Sequence, residues 1–145
     1  MWNWDVMKEV YYATNKKMPN ALFECTLSDL LKIEDRQQLL SIYGNGIGAL
    51  RKDVTVMYLA GWFGYLGGAL HHLFVDGKEF NFKAPLIQVL QTEKSCSISF
   101  YISDASIVPA TKDLSYVYTK WMAPNMLELA KEINSPTIPL WYQYY

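Results

Sequence analysis

The stretch from Val54 to Val75 reads VTVMYLAGWFGYLGGALHHLFV and carries no Asp, Glu, Lys or Arg. Arg51, Lys52 and Asp53 precede it, and Asp76, Gly77 and Lys78 follow it. As a helix it would reach about 33 Å, long enough to cross a bilayer. Three features favour a packed helix over a membrane span. Its aromatic residues are spread along it instead of gathering in two belts. Gly61, Gly64, Gly67 and Gly68 each lower helix propensity by about 1 kcal/mol relative to Ala. His71 and His72 lie inside one end, where polar groups are costly in lipid. Gly64-x-x-x-Gly68 matches a membrane dimer motif, but the same spacing occurs in soluble helices packed close to a neighbour. The rest of the chain also needs a core, and this stretch is the best one available. It is therefore read as a buried or half-buried helix, with Asp53 as its N-cap and Gly77 as its stop. Its glycines then mark a face that another backbone or a ligand approaches closely.

Toward the N-terminus, Trp2, Val6, Met7, Val10 and Tyr11 recur at helical spacing, predicting a helix over residues 2–17 that Met18-Pro19-Asn20 ends. Thr26 with Asp29 three residues later forms a weaker capping box, opening a short helix to about Ile33. A further helix over Glu34 to Tyr43 runs into Gly44-Asn45-Gly46. Toward the C-terminus, Phe80 and Phe82, then Leu86, Ile87, Val89 and Leu90, suit strands on either side of Pro85. Residues 95–103 alternate cleanly, with Cys96, Ile98, Phe100 and Ile102 on one face, and Glu93-Lys94-Ser95 reads as the turn of an antiparallel hairpin. Asp104 to Pro109 is a loop or brief edge strand. Residues 113–133 form a second long helix, interrupted at Ala123-Pro124 by a kink or by a new helix with Pro124 in its first turn. Residues 138–145 are extended and very aromatic. The expected architecture is α+β in one domain over 1–145: a long central helix packed with further helices against a small antiparallel β-sheet.

The bulk composition narrows the function classes. The 145 residues are 51% hydrophobic and 19% charged, within the globular range. Net charge is -1 with Lys and Arg scattered, which lacks the basic footprint of a nucleic-acid binder. Aromatics reach 15%, and those not in the core suit the lining of a cleft or stacking on a flat ligand. Cys25 and Cys96 form neither a disulfide framework nor a zinc spacing, which suits a reduced, cytoplasmic setting. Residues 1–17 show no basic segment followed by an apolar run, so no signal peptide is read there.

Chemical motifs are few. Gly44-Asn45-Gly46-Ile47-Gly48 lacks the Lys-Ser/Thr ending of a phosphate loop. No serine stands in a nucleophile elbow. His71 and His72 point about 100° apart on a helix, so one can face a cleft while the other is solvated or held in the core. Asp76 either orients the His72 imidazole or caps the helix end. Trp62, Phe63 and Tyr65 read as core or as cleft lining. Arg51 and Lys52 are solvated flanking charges or the contacts of an anionic ligand.

Several of these residues, taken in order, resemble the FhuF-like family of ferric-siderophore reductases and the related C-terminal region of the IucA/IucC siderophore synthetases. The resemblance rests on Tyr43-Gly44, Arg51-Lys52-Asp53-Val54-Thr55, and Trp62-Phe63-Gly64-Tyr65-Leu66. It continues through Leu73-Phe74-Val75-Asp76-Gly77, Trp121-Met122-Ala123-Pro124-Asn125 and Pro139-Leu140-Trp141. It implies a site for a ferric siderophore or siderophore precursor, with Arg51, Trp62, Tyr65, His71 and His72 as ligand-binding residues. The reductases hold a [2Fe-2S] centre on a C-terminal cysteine cluster. The two cysteines of this sequence cannot supply four thiolates, so a cluster would need cysteines from a longer protein. The Gln-Asn that follows the synthetases' histidine is Leu73-Phe74 here, and their catalytic role does not carry over. The resemblance thus implies small-molecule binding; the scattered charge argues against nucleic acid, the central stretch reads as a packed helix in preference to a membrane span, and the aromatic C-terminal segment offers a homo-oligomer contact. The rival expectation is a non-catalytic interaction module or subunit fragment that associates through Trp141-Tyr142-Gln143-Tyr144-Tyr145.

Overall fold

The computed structural model describes residues 1–81 and 83–134. The expected aromatic segment over 138–145 and Phe82 lie outside the described residues. In chain order the elements are α1 (Trp4–Tyr11), β1 (Ala13–Thr14), β2 (Phe23–Thr26), α2 (Ile33–Gly46), α3 (Lys52–Val75), β3 (Lys78–Glu79), β4 (Leu86–Gln91), β5 (Cys96–Tyr101), β6 (Val108–Pro109), α4 (Leu114–Val117) and α5 (Ala123–Asn134). The architecture is α+β. A four-stranded sheet runs in the order β1-β5-β4-β2, and β3 pairs with β6 in a two-stranded ribbon.

The central helix starts two residues earlier than expected. Arg51, extended at φ -130°, is its N-cap and makes no side-chain capping bond. Asp53 sits in the first turn instead. There it pairs with Arg51 and takes backbone N–H groups of the helix start, which holds its carboxyl below the usual range. At the other end Gly77 adopts φ +71°, which ends the helix as read. Leu59, Phe63, Leu66, Leu70 and Leu73 form the buried side of α3. Their burial contributes about 1.5–3 kcal/mol each against α1, α2 and α5.

The N-terminal helix is shorter than its apolar spacing suggests. Asn3 caps it, accepting the Val6 N–H at 2.9 Å, and it stops at Tyr11 because Tyr12 turns left-handed at φ 58°, ψ 29°. That turn delivers Ala13 and Thr14 to the sheet, parallel to β5. The Phe100 N–H donates to the Tyr12 carbonyl at 2.9 Å and the Ile102 N–H to that of Thr14 at 2.8 Å. The sheet is therefore mixed, where an antiparallel one was expected. Its centre is the expected hairpin: β4 and β5 pair antiparallel, with the Thr92 N–H donating to the Ser95 carbonyl at 3.0 Å across the turn. Cys96, Ile98, Phe100 and Ile102 are buried, as their alternation predicts.

Thr26 and Asp29 make the reciprocal capping bonds, each side chain accepting the other's backbone N–H, at 2.9 and 3.2 Å. The turn they open is a single 3-10 turn, Asp29–Leu31. The Asp104–Pro109 region contains a 3-10 turn and the edge strand β6. Pro124 lies in the first turn of α5, behind a π-helical segment over Tyr118–Met122. The Ala123 N–H reaches back five residues to the Tyr118 carbonyl. This wider turn accommodates a proline that can neither donate nor tolerate a close carbonyl four residues back. Among the described residues, no helix is long and apolar enough to cross a membrane.

Candidate functional site

A cleft of about 670 Å³ opens where α3 passes the end of α1, the α2–α3 connection and the β4–β5 hairpin. Four tyrosines and a tryptophan dominate it: Tyr12, Tyr43, Tyr58, Trp62 and Tyr65. Val54, Met57 and Gly61 of α3, Ile47-Gly48-Ala49 of the connection, and Ser95-Cys96 of the hairpin complete it. This lining contains no charged side chain. The size falls in the ordinary range for small-molecule sites, roughly 300–1,000 Å³.

Three mutually packed rings form one wall of the cleft. Tyr12 stands edge-on to Trp62 and to Tyr65, with centroids 4.9 Å apart in each case, and Trp62 lies 5.6 Å from Tyr65. Such edge-to-face pairs contribute about 0.5–1.5 kcal/mol beyond their buried area. Tyr12 reaches this position through its left-handed backbone, a conformation that disfavours an L-residue by roughly 1–2 kcal/mol. Trp62 is fixed from behind, its Nε1–H donating to the Tyr43 hydroxyl at 2.7 Å. Burial raises the Tyr43 pKa, so the hydroxyl keeps its own proton to donate. Cys96 is buried at the cleft's inner edge, and its thiol donates weakly to the Tyr43 carbonyl at 3.7 Å. Gly46 permits this close packing, since a Cβ there would fall 1.9 Å from the Cys96 sulfur.

Of the residues singled out in the sequence, Trp62 and Tyr65 meet in this cleft. Arg51 does not join them. It lines a separate cavity of about 300 Å³ with Lys52, Thr55 and Glu132, and its guanidinium is engaged by Asp53. His71 is exposed further along α3. His72 packs its ring against Tyr11 at 5.6 Å, with Nε2 buried and unpartnered, outside the cleft lining. Asp76 accepts the Trp2 backbone N–H, so it caps the N-terminal segment and does not orient His72. Sequence reading missed Tyr12, which lay inside an expected helix. It also left Tyr58 unremarked, although Tyr58, Trp62 and Tyr65 follow the four-then-three spacing of one helix face.

The cavity beside Arg51 is smaller, and the Lys52 and Glu132 side chains that line it already serve the fold. Glu132 is buried between Arg36, at 2.9 Å, and Lys52, at 3.3 Å. Arg36 also donates to the Leu30 carbonyl at 2.9 Å. These bonds tie α5 to α2 and α3. Among the described residues, no three His, Cys, Asp or Glu side chains come together to hold a metal ion.

No protein-family model matches the chain, and no curated protein or solved structure matches it significantly.

Proposed function

We propose that the chain is a binding domain whose aromatic cleft takes an uncharged small molecule with flat, apolar faces. The observation that carries this reading is the cleft's wall of five aromatic rings, with no charged side chain in the lining. Aromatic faces supply dispersion and stacking area, and the Tyr43 hydroxyl and the Ser95 side chain supply the few polar contacts that orient a ligand.

Within the iron-siderophore class suggested by the sequence resemblance, this lining discriminates. A ferric trihydroxamate is neutral, because three hydroxamate anions balance the ferric ion, and an aromatic wall accepts it without an uncompensated charge. A ferric tris-catecholate carries three negative charges and would require cations there. The Arg51 guanidinium, expected among the ligand-binding residues, is neutralised by Asp53 at a different cavity. The domain would serve iron acquisition as the neutral chelate's binding partner in the cytoplasm, where its two buried free cysteines suit a reducing environment. Titration with a neutral ferric trihydroxamate is expected to raise the melting temperature and quench tryptophan fluorescence saturably. Trp62→Phe should remove most of the quenching and weaken binding at least tenfold, while an anionic tris-catecholate should leave the protein unaffected. Unchanged melting temperature and fluorescence with every chelate would refute the reading.

A further inference from the structure

A third pocket, of about 250 Å³, lies between the Asp29–Leu31 turn, the β3–β4 connection and the start of α5. Ser28 and Leu31 line it from the first, Lys83 from the second, and Lys120, Pro124 and Asn125 from the third. It shares no residue with the aromatic cleft. Local bonds hold each wall. The reciprocal Thr26–Asp29 caps fix the turn that carries Ser28. The Asn81 side chain accepts the Lys83 backbone N–H at 2.9 Å, and the Asn81 carbonyl accepts that of Ala84 at 2.8 Å, which fixes the approach to Pro85. The π-helical turn over Tyr118–Met122 brings Lys120 and Asn125, five residues apart, to one pocket. Uninterrupted α-helical winding at about 100° per residue would set them about 140° apart. Single π turns inside α-helices occur frequently at functional sites.

Lys83 and Lys120 are exposed at this pocket, and among the described residues neither pairs with a carboxylate. The carboxylates of the flanking segments bond elsewhere. Asp29 accepts the Thr26 N–H and meets Lys32 at 3.6 Å, and Glu79 accepts the Thr111 hydroxyl at 2.9 Å. Asp113 accepts the Tyr116 N–H at 2.7 Å, and Glu128 meets Lys131 at 3.0 Å and Arg36 at 3.7 Å. Position 82 is Phe and residues 135–145 contain no Asp or Glu, so no acidic side chain outside the described residues balances the two lysines. Two cations lining one pocket beside Leu31 and Pro124 favour a dianion. Lysine is a point charge that suits a tetrahedral phosphate, whereas a planar carboxylate is matched best by the arginine fork, which this pocket lacks. Ser28 adds a hydroxyl, and Asn125, 7% exposed, adds a carboxamide. We propose that this pocket binds a small phosphate monoester, with Lys83 and Lys120 holding the phosphate, Ser28 and Asn125 orienting it, and Leu31 and Pro124 covering a short apolar group on the ester oxygen. The volume limits the ligand's size, since it falls just below the usual range of about 300–1,000 Å³ for drug-sized molecules. The site is independent of the aromatic cleft and of what the cleft binds.

Isothermal titration calorimetry of the full chain with n-butyl phosphate at low ionic strength tests this site. Dissociation is expected at or below about 1 mM, and Lys83→Gln combined with Lys120→Gln should weaken it at least tenfold. Both lysines are exposed, so the double variant should melt as the wild type does. Lys94→Gln removes an exposed lysine from the hairpin turn and should bind like the wild type. Inorganic phosphate and butyrate should each bind at least fivefold more weakly, the first lacking the apolar group and the second the tetrahedral dianion. No saturable heat up to about 20 mM n-butyl phosphate, or a double variant that binds as tightly as the wild type, would overturn the inference. An equal loss in Lys94→Gln would mark a diffuse charge effect and overturn it as well. Equal binding of butyrate would overturn the choice of phosphate, and equal binding of inorganic phosphate would overturn the role of Leu31 and Pro124.

Discussion

Tyr12 shows how one residue shapes the site. Its left-handed backbone ends α1, turns the chain into the sheet and sets its ring against Trp62 and Tyr65. Glycine would relieve the backbone at that position by about 1 kcal/mol and forfeit two edge-to-face contacts of about 0.5–1.5 kcal/mol each. Tyr12→Gly is therefore expected to lower stability by no more than about 2 kcal/mol in urea unfolding. The same change should weaken ligand binding at least tenfold in the fluorescence titration, because the wall loses a ring. Asp29 is a second informative residue. The Thr26 backbone N–H bond, reinforced by the Thr26 hydroxyl and Lys32, holds its carboxyl below the ordinary range despite partial burial. A carboxyl depressed in the folded state stabilises above its unfolded pKa and loses that contribution as pH falls through the folded value. Asp29→Ala should thus destabilise by about 0.5–2 kcal/mol at pH 7, a typical capping loss. Melting curves from pH 7 downward should show the gap between variant and wild type closing below about pH 4.

Among the elements, the joint between α2, α3 and α5 depends on a buried ion pair. Arg36 and Glu132 are both about 6% exposed, with Lys52 and Glu128 at the margins. Removing one partner leaves the other charge buried and uncompensated, which costs about 3–5 kcal/mol, while replacing both with apolar groups of similar volume is often near neutral. Arg36→Met alone should lower stability by several kcal/mol, and adding Glu132→Leu should restore much of it. Denaturant midpoints for the two singles and the double would reveal that coupling, and simple additivity would show that the pair does not act as a unit. Elements were legible in the sequence where periodicity and punctuation agreed. The hairpin around Glu93-Lys94-Ser95, the alternation of β5, the stop at Gly77 and the Thr26–Asp29 caps all follow from local chemistry. The α1–β1 boundary was not legible, because a tyrosine in the left-handed region carries no sequence mark. The parallel pairing of β1 with β5 depends on a partner more than eighty residues away. The site was half legible for the same reason. Trp62 and Tyr65 lie on one helix face, but the ring that completes their wall comes from another element. Arg51 was misplaced because its nearest carboxylate, two residues on, claims it.

In the whole molecule, helix α3 organises both sides of the account. Its buried face carries the core, and its outward face, uncharged from Val54 to Val75, carries the cleft. A stretch that is long and uncharged, yet unsuited to crossing a membrane, thereby finds a use on each side. The central claim is that an uncharged ligand occupies the cleft against Trp62. A proton–nitrogen correlation spectrum of the full chain reads this through the indole N–H of Trp62, which donates to the Tyr43 hydroxyl. The probe is a gallium(III) trihydroxamate, the diamagnetic counterpart of the ferric chelate, and Trp62→Phe identifies the signal. The expected result is a saturable shift of the Trp62 indole signal while those of Trp2 and Trp4 stay in place. A Trp62 signal that does not move at millimolar chelate, or moves no more than those of Trp2 and Trp4, would contradict the account.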